Sequence, residues 1–190
     1  MESNSRKTQI LKEIFGYDSF RKGQEEIVDQ ILNGRDVLAI MPTGAGKSLC
    51  YQVPALLMSG ITIVVSPLIS LMIDQVKALN EAGVHAAYIN SALTERQITK
   101  ALELAAAGRY KMIYVAPERL LTPRFLDFAC HTELSMVTID EAHCISQWGQ
   151  DFRPSYVKIT EFIRQLPRRP VVSAFTATAT QKVREDILEV

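Results

Sequence analysis

Net charge is the first thing this chain lacks. Its 190 residues carry 21 Lys plus Arg against 21 Asp plus Glu, so there is no bulk field to draw in nucleic acid or an anionic membrane surface. Any nucleic acid must therefore be met at a local site. Long apolar runs are also missing, because "ITIVV" and "ALLM" fall far short of the roughly 18 residues of a membrane span. The opening "MESNSRKTQILKEIF" has early charges but no apolar core followed by a small-residue cleavage site, so no secretory signal is visible. The expected address is the cytoplasm, beside the nucleoid in a bacterium, or the nucleus in a eukaryote, with no membrane partner.

Cysteine is sparse. Cys50, Cys130 and Cys144 are odd in number and widely spaced, with no Cys-x-x-Cys pair and no His at zinc-finger spacing. Reduced structural thiols are the expectation. Repeats, low-complexity tracts and Pro/Gly/Ser-rich linkers are absent, and the length suits a single domain. The sequence stops inside the helix-like "QKVREDILEV", which reads as one part of something larger, although a natural end remains open.

What is present is alternation. Strand-like runs at 36–40, 61–65, 84–89, 111–115, 134–139 and 171–175 are separated by helical patterns at 47–59, 67–82, 94–107, 122–130, 155–165 and 179–189. Two further helices, near 6–14 and 21–33, precede the first strand, and Thr178 with Gln181 suggests a capping box for the last helix. Several runs are apolar nearly throughout, as strands covered on both faces are. The pattern predicts an α/β fold with a mainly parallel sheet between two helical layers.

The run "VLAIMPTGAGKSLCYQ" is a strand, a Gly-rich loop and a helix start. Pro42, Thr43, Gly44, Ala45, Gly46, Lys47 and Ser48 have the layout of a phosphate cradle: loop amides and helix N-terminus meet the anion, Lys47 reaches the terminal phosphates, and Ser48 ligates magnesium. The strict pattern has Gly where this chain has Met41. A second apolar strand, in "LSMVTIDEAH", ends in a carboxylate. Asp140 is placed to hold magnesium and Glu141 to orient or activate the attacking water. Adjacent acids can instead cap the following helix, and a lone His143 is usually structural. Beside this acidic pair, His143 becomes a candidate link to whatever lies above. ATP and Mg2+ are the expected ligands.

"IDEAH" on this background resembles superfamily 2 helicases, and further segments resemble the RecQ family in particular, from about residue 9 to the end. "FGYDSFRKGQEEIV" is similar to that family's adenine-reading motif. The resemblance implies that Tyr17 and Arg21 pack on the base while Gln24 reads its edge, which favours ATP. It implies a RecA-like three-layer fold, with residues 1–34 as a helical segment packed on a first motor domain at 35–190. "VVSPLISLMIDQV", "INSAL" and "VAPERLL" resemble loops that hold the nucleic-acid backbone, which carries over to Ser66, Ser91 and Arg119, residue types able to contact phosphates. N-caps and turns are the plain alternative. "FTATAT" resembles the third motif, whose Thr176 and Thr178 join the acidic pair and His143 to the DNA side or cap the next helix.

Trp148, Phe152 and Tyr156 recur every four residues, the spacing of a buried helix face. Gly149 and Pro154 argue against a continuous helix, since an interior Pro costs about 3 kcal/mol. A loop across part of 146–154 with exposed aromatics suits stacking on bases, which needs no bulk charge. The stretch resembles the aromatic-rich loop of RecQ helicases, which senses single-stranded DNA. That implies Trp148, Phe152 and Arg153 as DNA-facing, with 146–150, including Gln147 and Gln150, touching the ATPase side. Two departures stand out: Gln150 replaces the family's His and cannot titrate near neutral pH, and Lys22 replaces a Pro.

The resemblance implies an ATP-dependent 3′–5′ DNA helicase motor serving DNA repair, recombination and replication. Its expected partners are single-stranded DNA, duplex junctions and a second RecA-like domain that supplies the transition-state arginine. A monomer is expected. Alone, the domain should bind nucleotide weakly, hydrolyse it slowly and leave duplexes intact. An RNA helicase and a non-hydrolysing nucleotide-dependent binding module are the rival readings.

Overall fold

The computed structural model describes residues 2–149 and 151–189. Its elements run α1 (Glu2–Glu13), α2 (Gln24–Leu32), β1 (Val37–Ile40), α3 (Lys47–Leu57), β2 (Ile61–Val65), α4 (Ile69–Glu81), β3 (Ala86–Ile89), α5 (Glu95–Ala106), β4 (Met112–Val115), α6 (Pro123–His131), β5 (Leu134–Ile139), α7 (Pro154–Gln165), β6 (Val171–Thr176) and α8 (Gln181–Leu188). Short 3-10 turns follow β4 at Pro117–Arg119 and β5 at Ala142–Ile145. All six strands are parallel, in the order β1-β6-β5-β2-β4-β3. This is the α/β architecture that the alternation predicts.

The continuous apolar strands conceal a period of two. Ile61, Ile63, Val65, Ile113, Val115, Val137, Ile139, Val172 and Ala174 enter a core with α5, α6, α7 and α8. The alternate residues Val64, Met112, Tyr114, Met136 and Phe175 enter a second core with α2, α3 and α4. Burial on both faces explains why no strand shows a polar side, and it produces the three layers.

The N-terminal helices sit against α3. Leu11, Val28 and Val53 form a small buried cluster, and the almost buried Lys7 pairs with Glu25 at 3.0 Å and Asp29 at 2.5 Å. The phosphate-loop helix is thereby braced from behind.

Two local differences from the sequence reading have physical causes. The last helix is capped by Thr180, whose hydroxyl accepts from the Val183 amide at 3.4 Å. The capping box suggested for Thr178 and Gln181 does not form, because Gln181 is the first residue of α8 and not the third after its cap, while the Thr178 carbonyl accepts the Thr176 hydroxyl at 3.0 Å. Pro154 is the first residue of α7, where a missing N–H costs nothing, so the aromatic stripe is split between a loop and a helix.

Candidate active site

Parallel strands place all their C-terminal ends on one edge, and open α/β sheets take ligands there. The loop after β1, Ser66 after β2, Ser91 after β3, Arg119 after β4, Asp140 after β5 and Thr178 after β6 all lie at that edge.

Gly44 and Gly46 adopt left-handed φ of 82° and 79°, which lets the loop fold back before Lys47 opens α3. Met41 needs no such freedom. Its amide donates to the Thr176 carbonyl at 2.9 Å, and its side chain fills the core beneath the loop, where the Gly of the strict pattern would leave space. Pro42 and Ala45 shape the turn, with the Ala45 amide donating to the Pro42 carbonyl at 3.1 Å. Thr43, Gly44, Gly46, Lys47 and Ser48 line a cavity of about 410 Å3 together with Tyr17, Arg21, Gln24, Asp140 and Glu141.

The structure brings the adenine-reading candidates to the loop, but Gln24 is fully engaged there. It is 1% exposed. Its side-chain oxygen accepts from the Arg21 amide at 2.8 Å, and its nitrogen donates to the Ala45 and Gly46 carbonyls at 3.2 and 3.1 Å. Arg21 adds a bond from its guanidinium to the Gly44 carbonyl at 2.9 Å. In this state the pair clamps the phosphate loop, and reading a base requires the Gln24 amide to leave those partners. Tyr17 remains half exposed at the cavity wall.

Asp140 is 9% exposed at the end of β5. Burial pushes its carboxyl up to about 6; the neighbouring Glu141 charge adds to this, and the Lys47 ammonium opposes it. Glu141 has φ 49° and ψ 47°, the only left-handed non-glycine among the described residues, a conformation costing on the order of 1–3 kcal/mol. The strained turn is held by the Glu141 amide donating to the Asp140 carboxylate at 3.0 Å. It places the Glu141 carboxylate 3.9 Å from the Lys47 ammonium and 3.4 Å from His143 Nδ1.

His143 Nδ1 lies 3.0 Å from the Thr176 hydroxyl. That hydroxyl gives its one proton to the Thr178 carbonyl, so it can only accept from His143, which fixes the proton on Nδ1. The sequence-predicted coupling residues His143, Thr176 and Thr178 therefore form one chain.

The aromatic segment grows from the same turn. Trp148 is 72% exposed, whereas Phe152 and Arg153 are half-buried. Gly149 packs on the His143 carbonyl so closely that a Cβ would sit 2.2 Å from that oxygen. Arg153 closes the loop: its amide donates to the Cys144 carbonyl at 3.0 Å, its guanidinium pairs with Asp151 at 2.9 Å, and its Nη1 reaches the Pro67 carbonyl at 3.2 Å. Arg153 is thus a strut in this state. Gln147 is exposed on the loop surface, and Gln150 lies outside the described residues.

The remaining DNA candidates divide. Ser91 is exposed in a turn in which Asn90 accepts from the Ala92 amide at 2.9 Å. Arg119 is partly exposed and lies 3.5 Å from Glu95. Ser66 does not reach the open rim. It is 1% exposed, its hydroxyl has no partner, and it lines the cavity of Lys47 and Asp140, because β2 lies beside β5 with Val65 opposite Ile139.

Two supports escaped the sequence reading. The buried Tyr156 hydroxyl donates to the Asp140 carbonyl at 2.9 Å. Its signal was the four-residue spacing after Phe152, which marks a core position. Ser146 donates to Asp186 at 2.5 Å and accepts from the Trp148 amide at 3.1 Å, and no motif spacing pointed to that bond.

The donor set fits magnesium. A buried carboxylate destabilised by its surroundings, the Ser48 hydroxyl and the unpartnered Ser66 hydroxyl line one cavity with Lys47. One carboxylate and hydroxyls of this kind suit an ion that completes its shell with phosphate oxygens and water.

Comparison with known proteins gives one consistent picture. The family model described as DEAD/DEAH box helicase matches residues 21–187. The chain is 51% identical over 183 residues, 96% of its length, to the ATP-dependent DNA helicase RecQ of Bacillus subtilis. It is 48% identical over 179 residues to that of Haemophilus influenzae, 94% of its length. It spans 31% and 29% of the length of these two relatives. The DUF1998 helicase MrfA bound to DNA and AMPPNP has the same fold, at TM-score 0.76 and 17% identity, over 96% of this chain and 28% of that one.

Proposed function

This chain belongs to the DEAD/DEAH box helicase family, and we propose that it is the first motor domain of a RecQ-type DNA helicase, hydrolysing ATP with magnesium and moving 3′ to 5′ on single-stranded DNA. Residues 1–34 form its adenine-side segment and 35–190 the motor domain proper. One observation carries the reading: the turn that holds Asp140 and Glu141 continues without a break into the Trp148 loop, with His143 bonded to Thr176 on one side and packed on Gly149 on the other.

Lys47 and the loop amides bind the terminal phosphates; Ser48 and Asp140 would hold magnesium, which when bound would supply charge neutralisation for the phosphates. Glu141 accepts the proton of the attacking water. Its neighbour His143, 3.4 Å away and with its Nδ1 proton given to Thr176, links the position of the carboxylate to the Thr176 segment. Trp148 and Phe152 stack on bases, and Ser91 and Arg119 contact the phosphate backbone. Arg153 joins them once its strut opens. Ser66 works on the nucleotide side, where its hydroxyl lies.

A second RecA-like domain completes the site with the arginine that hydrolysis needs. The test is ATPase rate with and without single-stranded DNA in a chain extended to that second domain. DNA should raise turnover, and Glu141→Gln should abolish it. A response to RNA as strong as to DNA would replace the DNA reading, and unchanged turnover in Glu141→Gln would leave a binding module.

A further inference from the structure

Ser146 is a hub. Its backbone N–H donates to the His143 carbonyl at 3.3 Å, and its carbonyl accepts from the Gly149 amide at 2.9 Å. Its hydroxyl accepts from the Trp148 amide at 3.1 Å and gives its single proton to the Asp186 carboxylate at 2.5 Å. With 1% exposure, it has no water to take the place of these partners.

Asp186 belongs to a different element. It sits on α8, which the buried Val183 and Ile187 fasten to the core beside Ala142 and Cys144. The helix is capped by Thr180, two residues after the Thr178 carbonyl that accepts the Thr176 hydroxyl. The bonds therefore close a ring: His143 to Thr176, Thr176 to Thr178, along α8 to Asp186, and back through Ser146 to Trp148 and His143. Lys182 pairs with Asp186 at 3.1 Å on the outer side. The Ser146 hydrogen bond and Lys182 together hold the Asp186 carboxyl below its ordinary value.

Resting on the reading that the Trp148 loop meets single-stranded DNA, we infer that Asp186 is a positioning residue that latches this loop to α8. A base stacking on Trp148 then displaces α8 and the Thr176–Thr178 segment together with His143. The chain has one Trp, so its emission reports on the latch directly.

The experiment uses oligo-dT as the DNA probe and a fluorescent ADP with magnesium as the nucleotide probe. In Asp186→Ala the Trp148 anisotropy of the free protein should fall and oligo-dT should bind about tenfold more weakly or worse, the loss expected of one hydrogen bond to a charged acceptor. Fluorescent ADP should bind within twofold of the parent. Asp186→Asn keeps an acceptor for Ser146 and should recover most of both signals, and Lys182→Ala, which removes the outer pair with Asp186 and a longer one with Glu185, should leave the free-protein anisotropy unchanged. Parent-like anisotropy in Asp186→Ala would overturn the latch whatever DNA does. A parent Trp148 that ignores oligo-dT while ADP binds would overturn the DNA reading of the loop, and the free-protein anisotropy would still judge the latch.

Discussion

The phosphate loop and the Trp148 loop flank the same acidic pair and are built in opposite ways. The phosphate loop is a backbone device: two left-handed glycines bend it, and Gln24 and Arg21 clamp it through its own carbonyls. Its side chains matter chiefly at Lys47 and Ser48. The Trp148 loop exposes its largest side chain and anchors its backbone from beneath, through Ser146, Gly149 and Arg153. On the proposed reading a phosphate meets fixed amides, while a base meets an exposed aromatic on a rooted stalk. The difference teaches that the proposed chemical side takes its bend from local geometry and only its clamp from Arg21 and Gln24, whereas the proposed sensing side is tied by its own turn to distant Asp186 and Pro67.

Breaking the chemical side should have the largest effect. Glu141→Gln keeps size and hydrogen bonding but cannot take a proton, so DNA-stimulated turnover in the two-domain chain should fall roughly 10²–10⁴-fold with nucleotide affinity retained. Breaking the root of the sensing side comes next. In Gly149→Ala the new methyl meets the His143 carbonyl, a backbone atom that cannot swing away. Overpacking of this kind costs about 1–3 kcal/mol, so DNA stimulation should drop on the order of tenfold or more, while unstimulated turnover changes little. Equal losses of stimulated and unstimulated turnover would erase the distinction between the two loops.

Asp140→Asn sharpens the comparison because it separates stability from chemistry. Its carboxyl, raised by burial to about 6, binds a proton more tightly folded than unfolded. The ionised form therefore burdens the fold above that pH, and the burden disappears as the pH falls toward the ordinary carboxylate value. Without magnesium, the parent Tm should rise between pH 7 and pH 5. Asp140→Asn should remove that dependence and stabilise the metal-free chain at pH 7 by on the order of 1–3 kcal/mol, while the stabilisation by magnesium and nucleotide disappears. Thermal unfolding with and without magnesium reads both.

What the sequence disclosed follows the same division. The strands at 61–65 and 134–139, the phosphate loop and the acidic pair were legible because each rests on local spacing: apolar runs, glycines, a carboxylate at a strand end. Thr180 instead of Thr178 as the cap was not, because a run of alternating Thr offers several caps and local spacing does not say which one the helix starts from. Ser66 was read as a backbone contact from its loop, but strand order decides its neighbours, and β2 lies beside β5 in a sheet whose order no local pattern states. The engagement of Gln24 and the Ser146–Asp186 bond, 40 residues apart, are likewise products of the fold.

The smallest effect expected comes from the aromatic that the helical spacing placed correctly in the core. Tyr156 belongs to neither loop, yet its hydroxyl holds the Asp140 carbonyl from α7. Tyr156→Phe removes that donor and leaves a buried carbonyl without this partner, while the ring keeps its packing. The loss should be about 1–2 kcal/mol, a Tm lower by a few degrees at this chain length. Because the bond is to the backbone and not to the carboxylate, magnesium affinity should fall no more than severalfold, and oligo-dT should quench or enhance Trp148 as in the parent. If Tyr156→Phe instead silenced Trp148, α7 would have to be counted with α8 among the supports of the sensing loop, and the boundary between the two regions would lie on the far side of Pro154.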